Sequence, residues 1–347
     1  MKKILVVDDN LSILKQISAH LAGEYEVLLA KTGSLALQIC IKEEPDLILL
    51  DIEMPDMDGF EVINRLKLNP YLDRIPVVFL TANHSAEFEI KALEMGAKDF
   101  IMKPVEKSIL LHRIELHLRF TSYQLQTEKN VVALSDSMAT SFAELIECRD
   151  ENTGGHVVRT SKYVEIIGVE LIDQGLYPEE LNLTELQLMV RAAPLHDIGK
   201  IAISDSILLK AGRLDDVEFT RMKRHAEIGS AILERMYQRM PAQRYLRYAC
   251  LISGSHHERY DGKGYPRGLS KNSIPLCGRI MAVADVYDAL IETRVYRKGM
   301  NHDQASGLIC EGKWTQFDPD VVDAFIKLQG QIAEIAGQFK GTNFTGN

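Results

Sequence analysis

Short apolar runs alternate with longer amphipathic stretches over the first 105 residues of the chain. The runs are ILVV (4–7), EVLLA (26–30), LILLD (47–51), VVFLTA (77–82) and DFIMK (99–103). Helical patterns that start near Ser12 and Ser34 separate the first three runs. Continuous apolar strands that alternate with amphipathic helices are typical of a parallel sheet with both faces covered. The pattern therefore predicts a doubly wound, five-stranded parallel sheet of the α/β class.

From residue 107 onward the pattern is helical. Residues 107–150 contain no proline, and their apolar residues recur at helical spacing. These residues are Ile109, Leu110, Ile114, Leu118, Leu125, Val132, Leu134, Met138, Phe142 and Leu145. The stretch is too short and irregular for heptads to distinguish a passive spacer from a coiled-coil seam, but we expect a homodimer through this helix. Beyond about residue 140 no run alternates like a strand, which predicts a second, all-α domain.

Length and charge narrow the class of protein. A chain of 347 residues is too long for one ordinary core and indicates two domains. A net charge of −9 and a pI near 5.6 argue against a general binder of nucleic acid or membrane surfaces. The five cysteines form no CxxC pair and are typical of a reduced, cytosolic protein. The start MKKILVVDDN fits a strand better than a signal peptide, so we expect a cytoplasmic protein without a membrane partner.

Polar side chains stand at the carboxyl ends of the predicted strands, where parallel sheets bind their ligands. They are Asp8, Asp9, Asp51, Thr81 and Lys103. Three carboxylates gathered at one edge would repel one another without a cation, and Mg²⁺ suits such oxygen ligands. A lysine and a hydroxyl opposite would complement a phosphoryl group carried by one aspartate.

With VVDDN, LLDIEMPDMDG, LTA and KP at these strand ends, the first 120 or so residues resemble a response-regulator receiver domain. The resemblance implies that Asp51 accepts a phosphoryl group from a sensor histidine kinase. It implies a Mg²⁺ ion held by Asp8, Asp9 and the backbone carbonyl of Glu53. It also implies that Thr81 and Lys103 contact the phosphoryl group, and that Phe100 is the switch aromatic.

Histidines and aspartates cluster in a second group of motifs. His156 lies in RDENTGGHVVR, His196 and Asp197 in APLHDIGK, His225 in MKRHAEIG, His256 and His257 in SHHERYDGKGYPRG, and Asp285 in VADVYDAL. Burying the Asp197 carboxylate among apolar neighbours costs several kcal/mol unless a cation compensates it. Adjacent helical residues point about 100° apart, so His196 and Asp197 cannot both chelate one ion as residues one turn apart do. A bridging carboxylate with histidines on either side could instead serve two ions about 3.5–4 Å apart. The ligand types fit Fe, Mn, Zn or Ni and do not choose among them.

These motifs, in this order over residues 140–325, closely resemble the HD-GYP subgroup of the HD phosphohydrolases. The resemblance implies an all-helical domain that hydrolyses cyclic di-GMP to pGpG, with a second cut to GMP left open. It implies two metals, with Asp197 bridging, and the ligands His156, His196, Asp197, His225, His256, His257 and Asp285. Lys200 would hold a substrate phosphate, Arg294 and Arg297 would clamp phosphate and guanine, and Tyr265 with Pro266 would shape the pocket wall. Asp197 and Lys200 are the expected catalytic residues.

One position departs from the best-equipped members of this subgroup. They carry glutamate four residues before the first histidine, where this chain has Asn152, with Glu151 beside it. An amide is a poor ligand, so we expect two metals per protomer rather than three, and a modest turnover.

The alternatives to this function are a hydrolase of another phosphorylated nucleotide and a binding or protein-interaction module with little turnover. The expected domains are a receiver (1–120), a helical linker (121–140), an HD-GYP domain (141–335) and a polar tail (336–347).

Overall fold

The computed structural model describes residues 1–69, 71–82, 86–149, 155–292 and 299–338. The chain divides into two compact units, Met1–Val132 and Ala133–Asn347. Among the described helices, none is both long and apolar enough to span a bilayer.

The first unit is built on five parallel strands. They are β1 (Lys3–Val7), β2 (Glu26–Ala30), β3 (Leu47–Asp51), β4 (Val77–Thr81) and β5 (Asp99–Met102), in the order β2-β1-β3-β4-β5. The intervening helices are α1 (Leu11–Leu21), α2 (Gly33–Glu43), α3 (Gly59–Lys67) and α4 (Ala86–Glu94). The predicted sheet is confirmed, with every strand at the place that its apolar run indicated.

Alternate residues of the central strands enter different cores, which explains why these strands are apolar in nearly every position. Leu5 and Val7 of β1 pack into a core with residues of α2 and α3, such as Cys40 and Ile63. Ile4 and Val6 pack on the other face, into the core that contains residues of α1. Both faces are therefore buried, and the strand ends are the part of the sheet left open for polar side chains.

A single helix, α5 (Lys107–Arg149), follows the sheet. Leu110 and Ile114 near its start are buried in a core of the first unit, and Ala143 and Ile146 near its end are also buried. The helix runs without a break through both ends of the expected linker, residues 121–140. The domain boundaries expected from the sequence stay a prediction.

The second unit is helical, as predicted. Its helices are α6 (His156–Asp173), α7 (Leu183–Ala192), α8 (Asp205–Leu208), α9 (Asp216–Arg239), α10 (Tyr245–Ser253), α11 (Leu276–Ile291), α12 (His302–Glu311), α13 (Pro319–Lys327) and α14 (Gln329–Gln338), with 3-10 turns at Ala193–Leu195, Ile198–Ala202 and Lys271–Ser273. At its centre the ring of Tyr287 on α11 meets Tyr163 on α6 and Phe325 on α13 edge to face, with centroids 5.3 and 5.1 Å apart. Such pairs stabilise a core beyond their buried area.

The backbones of the Ile198–Ala202 turn and of α9 touch directly at two glycines. A Cβ atom added to Gly199 would lie 1.9 Å from the carbonyl oxygen of His225 and 2.6 Å from the amide nitrogen of Gly229. Only glycine permits this approach. The contact therefore sets how far Asp197 and Lys200, which lie close to Gly199 in the chain, are from His225 on α9.

Candidate metal centre and phosphorylation site

The predicted phosphorylation site lies at the carboxyl edge of the sheet. A cavity of about 180 Å³ is lined by the expected residues Asp8, Asp9, Asp51, Glu53, Thr81 and Lys103. The Lys103 ammonium lies 2.7 Å from Asp8 Oδ2 and 2.9 Å from Asp51 Oδ2. Oxygens of Asp8, Asp9 and Asp51 approach within 4.8 Å of one another, close enough to hold one ion. The sequence therefore identified residues that the fold does bring together.

Burial and charge act in opposite directions on this site. Burial raises the pKa of Asp51 above its usual value, although the Lys103 ammonium opposes the shift. Burial lowers the pKa of Lys103, but Asp8 and Asp51 outweigh it and the net shift is upward. The ammonium thus stays charged beside the expected acceptor. Phe100, the expected switch aromatic, is half-buried on β5 and packs against a core of the first unit.

In the second unit, one group of ligand atoms gathers around the Nε2 atom of His156. His196 Nε2 lies 3.5 Å from it and Asp285 Oδ1 lies 3.6 Å from it. His156 begins α6, His196 follows the Ala193–Leu195 turn, and Asp285 lies on α11. Three elements thus bring these side chains, far apart in sequence, within the span of one ion.

A second group gathers around the Nε2 atom of His225 on α9. His257 Nε2 lies 3.1 Å from it and Asp197 Oδ1 lies 3.2 Å from it. His256 Nε2 lies 3.7 Å from the same Asp197 oxygen. His256 and His257 follow the end of α10 after Gly254 and Ser255, so the adjacent pair enters the centre from one side.

Asp197 stands between the two groups. Its Oδ2 atom lies 3.3 Å from His196 Nε2, while its Oδ1 atom faces His225 and His256. One carboxylate therefore offers a separate oxygen to each group, which is the arrangement that a bridging ligand needs. That these seven residues hold metal stays a prediction.

The hydrogen bonds of the imidazoles fit metal ligation. The Nδ1 atoms of His196, His225 and His256 donate to the carbonyl oxygens of Ala193 (3.0 Å), Met222 (2.7 Å) and Ile252 (3.1 Å). In the neutral ring this leaves the Nε2 lone pair free to ligate, as in metal sites where a second hydrogen bond fixes the tautomer. His256 Nε2 is buried without a hydrogen-bond partner among the described residues. A buried imidazole nitrogen of this kind fits a divalent transition metal.

Three shifted pKa values follow from the crowding of charges. Burial alone would raise the pKa of Asp197, but Lys200 and His196 hold it well below its usual range. Burial, together with His256 and His225, lowers the pKa of His257 well below its usual range. An ionised carboxylate and a neutral imidazole are the forms in which these residues ligate metals. Against the effect of burial, Asp288 and other nearby carboxylates raise the pKa of His156 to about 10.

Two buried residues behind His156 were missed in the sequence analysis. Asp288 accepts from His156 Nδ1 at 2.8 Å, and Arg159 donates to both Asp288 oxygens at 2.7 and 2.8 Å. Arg159 also donates to Glu292 at 3.2 Å. A signal existed, because Arg159 and Asp288 follow His156 and Asp285 by three residues on their helices and so share a face with them.

The expected substrate contacts are described in part. The Lys200 ammonium lies 2.9 Å from Asp197 Oδ2, so it borders the centre. The ring of Tyr265 lies over that of His257, with centroids 4.7 Å apart and planes inclined by 32°. Arg294, Arg297 and the third-metal positions Glu151 and Asn152 lie outside the described residues, so the expectations about them stay predictions.

Comparisons with known proteins agree with the two halves of this structure. Residues 4–115 match the response regulator receiver domain, and residues 141–321 match the HD domain. The chain is 40% identical over 351 residues to a probable cyclic di-GMP phosphodiesterase of Vibrio cholerae, a match that covers 97% of this chain and 80% of that protein. It is 36% identical over 346 residues to the cyclic di-GMP phosphodiesterase response regulator RpfG of Xanthomonas campestris, covering 97% and 90%. A cyclic di-GMP phosphodiesterase of Thermotoga maritima is 35% identical over 361 residues, covering 96% and 92%.

The chain belongs to the response regulators that carry an HD domain. This membership confirms the resemblance on both sides, to a receiver and to a metal-dependent phosphohydrolase. A response regulator receives its phosphoryl group from a kinase, so the family also establishes a phosphodonor kinase as a class of partner.

Proposed function

We propose that this response regulator hydrolyses cyclic di-GMP to pGpG at a two-metal centre, under control of phosphorylation at Asp51. The observation that carries the proposal is the position of Asp197, with one oxygen toward His196 and the other toward His225 and His256. The relatives named as cyclic di-GMP phosphodiesterases match nearly the full length of this chain, which supports the choice of substrate.

The chemistry divides between the bound ions and the protein. When bound, two divalent ions would lower the pKa of a water and offset the charge of the phosphodiester. His156, His196 and Asp285 would hold one ion, His225, His256 and His257 the other, and Asp197 both. Fe, Mn, Zn and Ni all suit this ligand set.

The protein's own residues position the substrate. Lys200 places a positive charge beside Asp197 Oδ2, where it would pair with a phosphate oxygen. Tyr265, whose ring lies over His257, borders the centre and would shape the wall of the substrate pocket. In the reaction a water gives up a proton as its oxygen bonds to phosphorus, the bond from phosphorus to the ribose O3′ breaks, and O3′ takes up a proton and leaves as a hydroxyl. One such cut opens the ring to pGpG.

The test is product analysis on purified, full-length protein loaded separately with Mn²⁺, Fe²⁺, Zn²⁺ or Ni²⁺. Cyclic di-GMP should disappear and pGpG should accumulate in chromatograms, with any GMP appearing later. A second cyclic dinucleotide at the same concentration serves as the control for specificity. Tight binding of cyclic di-GMP without turnover under all four metals would overturn the proposal in favour of a binding module, and preference for the second nucleotide would overturn the substrate.

The receiver would hold Mg²⁺ through Asp8, Asp9 and the backbone carbonyl of Glu53, beside Asp51, whose oxygens lie within 4.8 Å of those of Asp8 and Asp9. A sensor histidine kinase would supply the phosphoryl group to Asp51, and Lys103 and Thr81 would contact it. The Lys103 ammonium already lies 2.9 Å from Asp51, so it is placed to pair with a phosphoryl oxygen.

The expected homodimer finds support in an apolar face of α5. Eight large side chains, each 49–73% exposed, follow one another at intervals of three, four or eight residues: Leu116, Phe120, Tyr123, Val131, Leu134, Met138, Phe142 and Leu145. Such intervals keep all eight on one side of a helix. Exposed apolar stripes of this length mark interaction surfaces, and a second copy of the chain would offer the same face to it in a two-fold pairing. We therefore assign this face to the dimer.

A further inference from the structure

Near its end, helix α5 carries a carboxylate that the sequence analysis did not single out. Glu147 is only 6% exposed. Its Oε1 atom lies 3.6 Å from His156 Nε2, the same distance that separates this nitrogen from Asp285 Oδ1. Its Oε2 atom is buried and has no hydrogen-bond partner among the described residues. Glu147 therefore faces the ligand nitrogen of His156 with one oxygen and leaves the other unsatisfied.

Such a side chain is costly unless something compensates it. An uncompensated buried carboxylate costs several kcal/mol, and an oxygen without a hydrogen bond adds to that cost. The neighbouring buried acid Asp288 differs, because both of its oxygens accept from Arg159. No arginine or lysine is paired with Glu147 in the part of the chain that the structure describes. The charges that favour the ionised form of Glu147 are those of His156, His196 and Lys200, so its compensation comes from the side of the proposed metal centre.

The end of α5 is held in place, so the position of Glu147 is fixed. Arg149 donates to the carbonyl oxygens of Ile201 (3.2 Å) and Ile203 (3.0 Å) and to Asp205 (2.6 Å). Two of these acceptors, Ile203 and Asp205, lie just beyond the turn that carries Lys200, and Ile201 lies within it. The helix end is thereby anchored to the backbone next to the metal centre.

We infer that Glu147 is an additional carboxylate ligand of the metal ion held by His156, His196 and Asp285. The inference rests on the proposed two-metal centre and adds to it a ligand from the end of α5. Glu147 lies nine residues before His156, so it is distinct from the third-metal position, Asn152. With Asp197 and Asp285 it brings three negative charges to a centre that would hold four positive ones, and carboxylate oxygens suit the same metals as imidazole.

The test compares Glu147→Gln with Glu144→Gln in the full-length protein. Glu144 is exposed on the same helix, so its variant controls for the loss of a charge. Chelator-stripped proteins are titrated with Mn²⁺ alone, and the number and affinity of bound ions are measured by calorimetry and elemental analysis. We expect Glu147→Gln to lower the affinity for one of the two ions by roughly 10- to 100-fold or more, since that is the effect of losing a residue that only orients a ligand. Glu144→Gln should bind both ions with the affinity of the wild type.

Melting of the metal-free proteins separates a ligand from a structural ion pair. Because Asp285 and Asp288 still lie beside His156, we expect the melting temperature of metal-free Glu147→Gln to stay unchanged, while the rise on adding Mn²⁺ becomes smaller. A lower metal-free melting temperature with both affinities intact would overturn the inference. If the wild type binds no Mn²⁺, the two-metal proposal itself fails, whereas equal binding by wild type and Glu147→Gln removes only the role of Glu147.

Discussion

His156 Nδ1 and Asp288 Oδ2 lie 2.8 Å apart in the interior of the second unit, and Arg159 holds Asp288 from its other side. The carboxylate keeps the proton on Nδ1 and turns Nε2 toward His196 and Asp285. Carboxylates that orient a ligating histidine in this way raise its affinity for metal. The binding strength of the centre therefore depends on residues that would never touch the ion.

Replacing Asp288 by asparagine tests this dependence. The variant keeps the shape of the side chain but leaves the Arg159 charge buried, so the free energy of unfolding should fall by about 3–5 kcal/mol. Affinity for the ion at His156 should drop roughly 10- to 100-fold. Chemical denaturation and Mn²⁺ titration measure the two effects. Asp323→Asn is the control, because it breaks only an exposed pair with Lys313. Equal stability of both variants would contradict the assignment.

Replacing Asp197 by alanine tests the bridge. The variant loses one oxygen from each group of ligand atoms, so both ions should be lost together rather than one. Elemental analysis should find less than one ion per chain, and hydrolysis of cyclic di-GMP should cease. If one ion remains tightly bound, Asp197 belongs to a single site.

Phosphorylation is tested with beryllofluoride, which mimics the phosphoryl group on Asp51. New charge at the sheet edge should draw Thr81 and Lys103 toward it and rearrange Phe100. We expect a change in turnover or in oligomeric state in the wild type and none in Asp51→Ala. Both properties are measured on the same samples, by product chromatography and light scattering. If neither the turnover nor the oligomeric state of the wild type changes, control through the receiver is contradicted.

The proposed dimer face is tested by charge. Leu134→Glu combined with Phe142→Glu places two carboxylates in the apolar stripe, where a two-fold partner would bring two more. The double variant should sediment as a monomer at concentrations where the wild type is a dimer. Lys129→Glu changes an exposed residue on the opposite side of α5 and should not shift the equilibrium. A monomeric wild type would contradict the proposal at once.

An acid-sensitive contact joins β5 to α5. Asp99 Oδ2 lies 2.8 Å from Arg113 and 2.9 Å from His117. Burial opposes ionisation of Asp99, but His117, the Phe100 amide and Arg113 outweigh it and lower its pKa below the usual value of an aspartate. A lowered carboxyl pKa stabilises the fold above the unfolded value and loses that effect as pH falls through the folded one. Asp99→Asn should therefore lower the melting temperature at pH 7, and the difference from wild type should shrink as the pH falls through the lowered pKa of Asp99. A difference that does not shrink with falling pH would point to packing instead.

Sequence patterns identified the residues whose position in the fold follows from the neighbouring sequence. Asp51 and Lys103 could be placed at one edge because each ends an apolar strand of a parallel sheet, and the structure has them 2.9 Å apart. The histidines could be grouped because imidazole beside carboxylate in an apolar setting indicates a cation.

The sequence did not predict the roles of residues that depend on partners far away in the chain. The three-residue spacing in VADVYDAL places Asp285 and Asp288 on one face of a helix, but it does not say that Asp285 faces His196 and that Asp288 faces Arg159. Glu147 was missed because its direction is set by the anchoring of α5 through Arg149, and no helical spacing connects it to His156. Long-range packing decides these roles, and a one-dimensional pattern does not contain it.

The glycine contact between Gly199 and His225 changes how variants of this chain should be interpreted. A Cβ atom at residue 199 would meet backbone at 1.9 Å, so an alanine there must push the turn away from α9. Asp197 and His225 would separate while every proposed ligand remained in the sequence. A comparison that checks only ligands would count such a chain as a working enzyme. A related chain therefore needs glycine at residue 199, as well as the histidines, to keep this activity.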